Sequence, residues 1–228
     1  MNDQEKILIV GDGEFAEIAY EYFMHDTKHA VLGFCAEKDF KKNDTLFGLP
    51  VYNFEEIQEK VPSEQCKVFV AITYTQLNRV RTRLYREVKK SGYKSISYIS
   101  SKAFVWNNAV IGENCFIFEN NVIQYGATIG NNCILWSGNH IGHRAVLGEN
   151  VFLSSHVVVS GYTRIGDNCF VGVNSSFGDN IEIGEDCLIG AGSVITKNTE
   201  KGKIYKGNPA QATKVSSYQY FGLKEDLE

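Results

Sequence analysis

The chain has 228 residues, a formal net charge of −4, 43% hydrophobic residues and 22% charged residues. This length is enough for one large domain or two modest domains, and the composition is that of an ordinary globular protein. The charge gives no basic field for nucleic acid, no apolar run reaches the roughly 18 residues of a membrane helix, and no signal-peptide pattern opens the chain. We therefore expect a cytoplasmic protein that binds neither nucleic acid nor membrane.

Residues 1–100 alternate between strand-like and helix-like segments. The segments KILIVG (6–11), HAVLGFCA (29–36), KVFVAIT (67–73) and SISYIS (95–100) have the apolar runs of buried strands. The amphipathic EFAEIAYEYF follows the first strand, and a helix with Val80, Leu84 and Val88 on one side follows the third. Strands that alternate with helices predict a small parallel α/β sheet.

A glycine turn connects the first strand to the first helix. Gly11, Gly13 and Ala16 fit the pattern GxGxxA, in which backbone N–H groups and a helix amino terminus can bind a phosphate. A tight turn without a ligand explains the same residues equally well. A dinucleotide site is a weaker interpretation, because the second strand ends at Cys35-Ala36-Glu37 without a clear ribose-binding acid.

From residue 103 onward, apolar residues recur at every sixth position without a break. Three short strands per coil, eighteen residues per coil and a spacing of about 4.8 Å between coils explain this period. The pattern therefore predicts a parallel β-helix. The sixteen positions are Val105, Ile111, Ile117, Ile123, Ile129, Leu135, Ile141, Leu147, Leu153, Val159, Ile165, Val171, Phe177, Ile183, Ile189 and Ile195.

The same register accounts for four of the six cysteines. Side chains alternate along each short strand, so the residue two before each aliphatic also points inward and must be small. Cys115, Cys133, Cys169 and Cys187 occupy this position on one edge, and Val151 supplies the missing level. We interpret them as a stacked interior ladder and not as a zinc site, and a reducing cytosol disfavours disulfides between them.

The residue before each aliphatic points outward, and on the cysteine-bearing face every such residue is apolar. A continuous apolar column is a large patch for a monomer, so we expect a subunit interface there. Packing beneath the first domain is the alternative. The column consists of Phe116, Ile134, Phe152, Phe170 and Leu188.

Two histidines three residues apart, His140 and His143, resemble a helical metal pair, but the β-helix register separates them. His140 lies outward in mid-strand, and His143 lies at a corner two residues after Ile141. Histidines at corners are commonly only solvated. Gly161, one coil further along, leaves its backbone N–H open beside His143. At another corner the small residues Ser155, Val173 and Ala191 form a stack beside which a long ligand can lie.

Several segments carry a family resemblance. They are the glycine turn at 11–16, QLNRVR at 76–81, IGH at 141–143, the unbroken repeats, and GAGSVITKN…YKGNPA from 190 to 210. The chain resembles hexapeptide-repeat sugar acetyltransferases, including N-acetyltransferases of nucleotide-linked amino sugars and sialic acid O-acetyltransferases. The resemblance implies a Rossmann-like nucleotide-sugar-binding domain over 1–100. It also implies a left-handed β-helix acyltransferase domain with a C-terminal tail over 101–228.

The resemblance also implies the site. It makes acetyl-CoA the donor, His143 the general base, and Gly161 a backbone N–H for the oxyanion. In the implied homotrimer, Phe152 of one subunit walls the active site of its neighbour. Coenzyme A would pass Val173 and Ala191 towards Gly207, Asn208 and Pro209. The nucleotide-sugar substrate would contact Gly11, Gly13, Asn78, Arg81 and Arg144.

Three departures from the family pattern concern the acceptor. Arg144 follows the histidine where a carboxylate is usual, Trp136 stands where an asparagine is frequent, and GDGEFA lacks a common histidine. The first hypothesis is N-acetylation of a nucleotide-linked amino sugar for surface polysaccharide, such as the O-antigen of lipopolysaccharide. The alternatives are a sugar O-acetyltransferase of the sialic acid type and a non-catalytic β-helix scaffold. The GNPA ending and the corner histidine disfavour the scaffold.

Overall fold

The computed structural model describes residues 5–224 and divides the chain into two compact units. The first unit contains the residues through Thr73 together with Val80–Tyr98, and the second contains Tyr74–Arg79 and the chain from Ile99 onward. A short segment from the middle of the predicted first domain therefore packs as part of the second unit. Within the described residues, no helix has the length and apolar character needed to cross a bilayer.

The first unit is built on a six-stranded sheet of order β3-β4-β2-β1-β5-β6. Its strands are β1 (Lys6–Val10), β2 (Ala30–Ala36), β3 (Thr45–Leu46), β4 (Leu49–Asn53), β5 (Lys67–Val70) and β6 (Lys94–Ser95). All neighbours pair in parallel except β3 and β4, which form an antiparallel hairpin. The helices of the chain up to residue 90 are α1 (Glu14–Asp26), a 3₁₀ turn (Phe54–Glu56), α2 (Ile57–Lys60) and α3 (Arg79–Lys90). The parallel α/β sheet and both predicted helices are present.

Two details of the first unit differ from the prediction. The fourth predicted strand, residues 95–100, is split: Ser95 ends β6 and pairs with Val68 of β5, whereas Tyr98–Ile99 form a separate strand, β7. The β3–β4 hairpin was not predicted from the sequence. Its turn consists of Phe47 and Gly48 at φ values of 52° and 75°, which is the backbone of a tight two-residue hairpin.

The second unit is a parallel β-helix of sixteen two-residue strands. They are β8 (Phe104–Val105), β9 (Val110–Ile111), β10 (Phe116–Ile117), β11 (Val122–Ile123), β12 (Thr128–Ile129), β13 (Ile134–Leu135), β14 (His140–Ile141), β15 (Val146–Leu147), β16 (Phe152–Leu153), β17 (Val158–Val159), β18 (Arg164–Ile165), β19 (Phe170–Val171), β20 (Ser176–Phe177), β21 (Glu182–Ile183), β22 (Leu188–Ile189) and β23 (Val194–Ile195). Each strand ends at one of the sixteen predicted aliphatic or aromatic positions, so the predicted six-residue register is confirmed.

These strands stack into three faces. The cysteine face contains β10, β13, β16, β19 and β22 and continues into β24 (Lys203–Gly207) and β25 (Ala210–Ser216). The histidine face contains β8, β11, β14, β17, β20 and β23, and the third face contains β9, β12, β15, β18 and β21. A short helix, α4 (Ser217–Phe221), follows β25 and begins with a capping box between Ser216 and Gln219.

The interior of the β-helix contains the predicted cysteine ladder. Cys115, Cys133, Cys169 and Cys187 are fully buried, and all six cysteines of the chain are free thiols. Each ladder thiol donates to a backbone carbonyl of the next coil, as Cys115 does to Gly130 at 3.2 Å. Burial raises the pKa of the Cys169 thiol well above its usual value. The ladder therefore fills space and satisfies carbonyl groups inside the helix.

A second ladder, which was not predicted, runs along the corner after the third face. The buried Asn114 donates through Nδ2 to Oδ1 of Asn132 at 2.7 Å, and Asn132 donates in the same way to Asn150 at 2.7 Å. Each bond links two coils through side chains that water does not reach. Buried amides that bond to one another keep this corner polar without leaving unpaired groups.

Four of the five residues of the predicted apolar column on the cysteine face are buried within the chain and Phe170 is half-buried, so the column offers little surface for the predicted subunit interface. Phe116 and Ile134 have no exposed surface, and Phe152 retains only 4%. The Tyr74 ring, from the segment that joined the second unit, lies 5.1 Å from the Phe152 ring and 4.7 Å from the Phe170 ring. Phe152 therefore packs against its own chain and presents no wall to a neighbouring subunit.

Asp186 ties three parts of the second unit together. Its Oδ1 accepts from Nη2 of Arg79 at 2.5 Å, and its Oδ2 accepts from the Tyr218 hydroxyl at 2.7 Å. Its backbone carbonyl accepts from the Ser217 hydroxyl at 2.5 Å. Asp186 is 4% exposed, so these bonds neutralise and satisfy a carboxylate that water does not solvate.

We expect this contact to make the folded chain sensitive to high pH. Burial, and then the hydrogen bond to Asp186, raise the pKa of the Tyr218 hydroxyl above its unfolded value near 10. The unfolded chain then loses this proton first, so stability is full below about pH 10 and falls as the pH rises further. Chemical denaturation between pH 7 and pH 11 should show this fall. The free energy of unfolding of Tyr218→Phe should be about 1 kcal/mol lower than that of the wild type at pH 7, and it should fall less steeply above pH 10. Equal alkaline slopes for the two proteins would contradict the assignment.

Candidate functional site

The structure separates the two histidines of NHIGHR as the register predicts. His140 is half-buried in β14 and pairs with Val122 and Val158 on either side. His143 is exposed in the turn that follows β14. We call the stacked turns after the histidine face the His143 corner; its central members are Tyr125, His143 and Gly161, followed by Gly126, Arg144 and Tyr162.

The imidazole of His143 lies over Gly161 of the next coil. A Cβ atom at residue 161 would lie 2.4 Å from Cε1 and 2.8 Å from Nε2 of His143, so no side chain fits there. Because residue 161 has no side chain, the imidazole of His143 can lie over this coil. Among the described residues, the Gly161 N–H donates to no acceptor.

The hydrogen bonds of His143 involve its backbone. Its N–H donates to Oε1 of Gln124 at 2.9 Å, and its carbonyl accepts from Tyr162 at 3.0 Å. Within residues 5–224, no side chain bonds to the ring nitrogens and no carboxylate orients the imidazole. The exposed ring is therefore free to accept a proton from a bound ligand.

Aromatic rings surround the two residues of this corner. The Tyr162 ring stands perpendicular to the His143 ring at 5.2 Å. The guanidinium of Arg144 lies 5.5 Å from the Tyr125 ring and 6.0 Å from the Tyr162 ring, within the range of cation–π attraction. Tyr125 and Tyr162 are both about half exposed. Sequence reasoning missed both tyrosines, although each lies one coil from His143 or Arg144.

The backbone of this corner departs from the rule that the other turns follow. Every sixth residue from 114 to 192 has a positive φ, and asparagine, aspartate or glycine occupies eleven of these fourteen positions. The exceptions are Arg144, His156 and Tyr162, at φ values of 56°, 60° and 57°. Such residues cost about 1–3 kcal/mol each in this conformation. Two of the three lie in the His143 corner.

A second corner, between the cysteine face and the histidine face, contains the predicted small residues. We call it the small-residue corner; its column consists of Ser155, Val173 and Ala191. Val173 and Ala191 are exposed, and neither donates its backbone N–H within the described residues. Trp136 lies earlier along this corner and stacks on Phe118 at 4.5 Å.

The GNPA segment that follows the repeat lies at the end of the same corner. Strand β24 pairs with β22 so that Tyr205 stands beside Ile189, which places Gly207 one level beyond Ala191. Gly207, Asn208 and Pro209 form the exposed tip of the β24–β25 hairpin, and the Asn208–Pro209 peptide bond is cis. The structure therefore aligns these predicted residues with Val173 and Ala191.

The two corners lie at opposite edges of the histidine face. Strand β17 (Val158–Val159), for example, separates Ser155 of the small-residue corner from Gly161 of the His143 corner. The predicted site residues therefore fall into two groups, one at each corner, and the structure of one chain does not bring the two groups together.

Local backbone geometry explains the residues of the glycine turn in the first unit. Gly11 has a φ of +125°, donates its N–H to the carbonyl of Cys35, and leaves no room for a Cβ beside the carbonyl of Ala71. Gly13 is the N-cap of α1, without a side-chain cap. Between them, Asp12 accepts from the backbone N–H of Lys42 at 2.5 Å. A tight turn accounts for both glycines, and a phosphate at this turn stays a prediction.

Two predicted nucleotide contacts are wrong, because their side chains are buried and engaged. Asn78 is 3% exposed, and its Nδ2 donates to the carbonyls of Asn168 and Cys169 at 3.2 and 3.4 Å. Arg81 is 2% exposed, and its guanidinium lies 5.8 Å from the Phe69 ring. Both side chains stabilise the fold and neither has surface to offer a nucleotide. Arg144, by contrast, is exposed.

Comparison with known families identifies the repeat. Residues 108–143, 126–161 and 162–197 match the family model described as bacterial transferase hexapeptide (six repeats). No curated protein matches the chain significantly in sequence.

Solved structures match the fold over nearly the whole chain. PerB from Caulobacter crescentus, in complex with CoA and GDP-perosamine, has a TM-score of 0.82 and 23% identity, over 91% of this chain and 97% of that one. The acetyltransferase domain of PglB from Neisseria gonorrhoeae, in complex with acetyl coenzyme A, has the same TM-score and identity, over 92% and 100%. WeeI from Acinetobacter baumannii has a TM-score of 0.71 and 20% identity, over 92% and 100%. At these identities the likeness establishes a shared fold.

We expect Gly161 to be essential for the position of His143. In Gly161→Ala, the new methyl group would meet Cε1 at 2.4 Å, so the ring must rotate away from its place over the next coil. The imidazole resonances of His143 should shift in NMR spectra, while thermal stability changes little because the nearest atoms to the new methyl group all belong to the exposed His143 side chain. Gly178→Ala, whose new methyl group would have only ordinary contacts, at 3.6 Å and 3.8 Å, is the control and should leave the His143 resonances in place.

Proposed function

We propose that this hexapeptide-repeat protein transfers the acetyl group of acetyl-CoA to the amino group of a nucleotide-linked amino sugar. The observation that carries the proposal is the His143 corner, where an exposed imidazole without a side-chain hydrogen bond lies over Gly161, whose N–H donates to no acceptor among the described residues. Structures of the same fold that contain CoA with GDP-perosamine, or acetyl coenzyme A, support this choice of substrates.

In the proposed reaction His143 acts as general base. It takes a proton from the attacking amine while the nitrogen forms a bond to the thioester carbonyl carbon. The carbonyl oxygen becomes an oxyanion, which the Gly161 N–H stabilises by a hydrogen bond. Collapse of the tetrahedral intermediate breaks the carbon–sulfur bond, and the imidazolium returns its proton to the leaving thiolate. The transfer is direct and requires no covalent enzyme intermediate.

Coenzyme A is proposed to lie along the small-residue corner. The backbone N–H groups of Val173 and Ala191 are exposed and available to the amide carbonyls of the pantetheine arm. Gly207, Asn208 and Pro209 continue the same line beyond Ala191 at the hairpin tip. Small side chains along this line let the arm approach the backbone closely.

The proposed active site needs two copies of the chain, because its two half-sites, the His143 corner and the small-residue corner, lie at opposite edges of the histidine face. A homotrimer has heterologous contacts, in which the His143 corner of one subunit meets the small-residue corner of the next. Phe104, Trp106 and Val110, which flank the first turn of the His143 corner, are 53%, 45% and 60% exposed. An apolar surface at this corner suits such a contact, whereas the buried Phe152 takes no part in it.

The remaining parts of the proposal concern the first unit and the wider role. A Rossmann-like domain would hold the nucleotide at the turn of Gly11 and Gly13, now without Asn78 and Arg81. The β-helix is proposed to be left-handed. The protein is proposed to act in the assembly of surface polysaccharide. A sugar O-acetyltransferase is the second candidate, since Arg144 beside His143 indicates an acceptor different from that of enzymes with a carboxylate there.

A coenzyme A release assay separates these functions. The protein is supplied with acetyl-CoA and, in parallel, with GDP- and UDP-linked amino sugars or free sialic acid. Release that depends on an amino sugar supports the main proposal, and release that depends on sialic acid supports O-acetylation. Mass spectrometry of the product identifies the acetylated atom. No acceptor-dependent release with any of them would favour a non-catalytic scaffold.

His143→Asn should lower kcat by about 10²–10⁴-fold, because the amine then has no base to take its proton. Steady-state kinetics with the active acceptor measure this loss, and the KM for acetyl-CoA should change little. His140→Asn, at an outward strand position, is the matched control and should retain activity. A His143→Asn enzyme with unchanged turnover would overturn the assignment of the base.

The shared site predicts complementation between two inactive variants. His143→Asn destroys one half-site, and Ala191→Trp blocks the other. Mixed trimers of the two should recover about a quarter of the wild-type sites, because some junctions receive both intact halves. Light scattering should give three chains per particle. A monomeric protein, or a mixture without recovered activity, would contradict the shared site.

A further inference from the structure

Arg144 is a charged residue of the His143 corner that the proposed mechanism does not use. Its guanidinium carbon lies 5.5 Å and 6.0 Å from the Tyr125 and Tyr162 rings, so the cation is held in a defined place. No ion pair among the described residues involves Arg144, and the side chain is exposed. Aromatic faces therefore position this cation, while its N–H donors stay open to a ligand.

Arg144 occupies a turn position of the repeat at which most coils have asparagine, aspartate or glycine. Eleven of the fourteen equivalent turn positions are asparagine, aspartate or glycine, which tolerate a positive φ, and Arg144 has a φ of 56°. Asparagine at this position would suit the backbone better. An arginine at a position whose backbone favours asparagine or glycine, next in the chain to an exposed histidine, indicates a role in binding and not in folding.

We propose that Arg144 binds a carboxylate on the sugar ring of the acceptor, so that the preferred acceptor is an acidic amino sugar. This inference rests on the proposed function, in which His143 contacts the nucleophilic nitrogen of the acceptor. Arg144 is the next residue, and its guanidinium and the His143 ring both lie against the Tyr162 ring. The planar guanidinium matches a carboxylate with two parallel hydrogen bonds. The phosphates of coenzyme A lie at the far end of the pantetheine arm from the reacting thioester.

The acceptor carboxylate would also serve the base. When His143 takes a proton, two cations share the surroundings of the Tyr162 ring, which lies 5.2 Å from the imidazole and 6.0 Å from the Arg144 guanidinium, and like charges repel each other. Within residues 5–224 no carboxylate bonds to the His143 ring. A carboxylate of the substrate, bound at Arg144, supplies the negative charge that offsets both cations. The substrate thus provides the carboxylate that no residue of the described part of the chain provides to the His143 ring.

The test compares matched acceptors with and without the carboxylate. GDP- and UDP-linked amino sugars are made in pairs, each an aminohexuronic acid and the corresponding amino sugar with a hydroxymethyl group. We expect the wild-type kcat/KM to favour the acid by about 10- to 100-fold. Arg144→Asn should abolish this preference and raise the melting temperature by a few degrees, because asparagine suits the positive φ. Arg144→Lys, which keeps the charge but not the fork, should lose most of the preference.

His156→Asn is the matched control. His156 also has a positive φ, at 60°, but it lies at the small-residue corner. This variant should raise the melting temperature in the same way and keep the preference for the acid. Equal kcat/KM values for acid and neutral acceptors in the wild type would overturn the proposal. So would an Arg144→Asn enzyme whose only change is a higher KM for acetyl-CoA with both acceptors, because Arg144 would then bind a phosphate.

Calorimetry gives a readout that does not depend on turnover. Binding of each acceptor pair is measured for the wild type and for Arg144→Asn. If no acceptor is acetylated but the wild type still binds the acid more tightly and Arg144→Asn does not, the proposed function fails and the carboxylate site stands. If binding shows no preference for the acid in the wild type, the carboxylate site fails whatever the outcome of the transfer assay.

Discussion

Each coil of the β-helix hydrogen-bonds to the coil eighteen residues further along, and all other features of the second unit depend on this pairing. Phe116 donates to the carbonyl of Cys133 at 2.9 Å, and the same bond recurs along every face. A slip of one residue would turn the interior side chains outward, so the hydrophobic interior holds the register. Because the coils are in register, residues eighteen apart form columns. The cysteine ladder, the asparagine ladder and both functional corners are such columns.

The turns between faces require a positive φ at every sixth residue, which asparagine and glycine satisfy at little cost. The His143 corner departs from this rule with Arg144 and Tyr162. Their side chains, together with Tyr125, build a small aromatic cluster around an imidazole and a guanidinium. The local backbone strain at this corner therefore coincides with the groups that can carry chemistry. The positive φ values of Arg144 and Tyr162 cost conformational free energy, and the same two residues give this surface corner its defined side-chain geometry.

Burial of the cysteine-face column changes how an assembly of subunits can be built. Tyr74 covers Phe152 and Phe170 within the chain, so that surface is not open to a second copy. The exposed apolar residues lie instead around the first turn of the His143 corner. In the proposed trimer this leaves the histidine face and its two corners as the contact, which joins a base from one subunit to a coenzyme A surface of the next. Catalysis and assembly would then depend on the same residues.

The six-residue period was enough to predict all sixteen strands, the cysteine ladder and the separation of His140 from His143, because these follow from sequence distance and side-chain alternation alone. Only the tertiary structure decided that Asn78 and Arg81 are buried and that Phe152 is covered by Tyr74. The bond from Asn78 to Asn168 joins residues 90 positions apart, and no local pattern marks it. The aromatic surroundings of Arg144 are intermediate: the period places Tyr125 and Tyr162 one coil away, but only packing shows that their rings face the guanidinium. A repeating backbone fixes which residues stack, whereas contacts from outside the repeat fix which of them remain exposed.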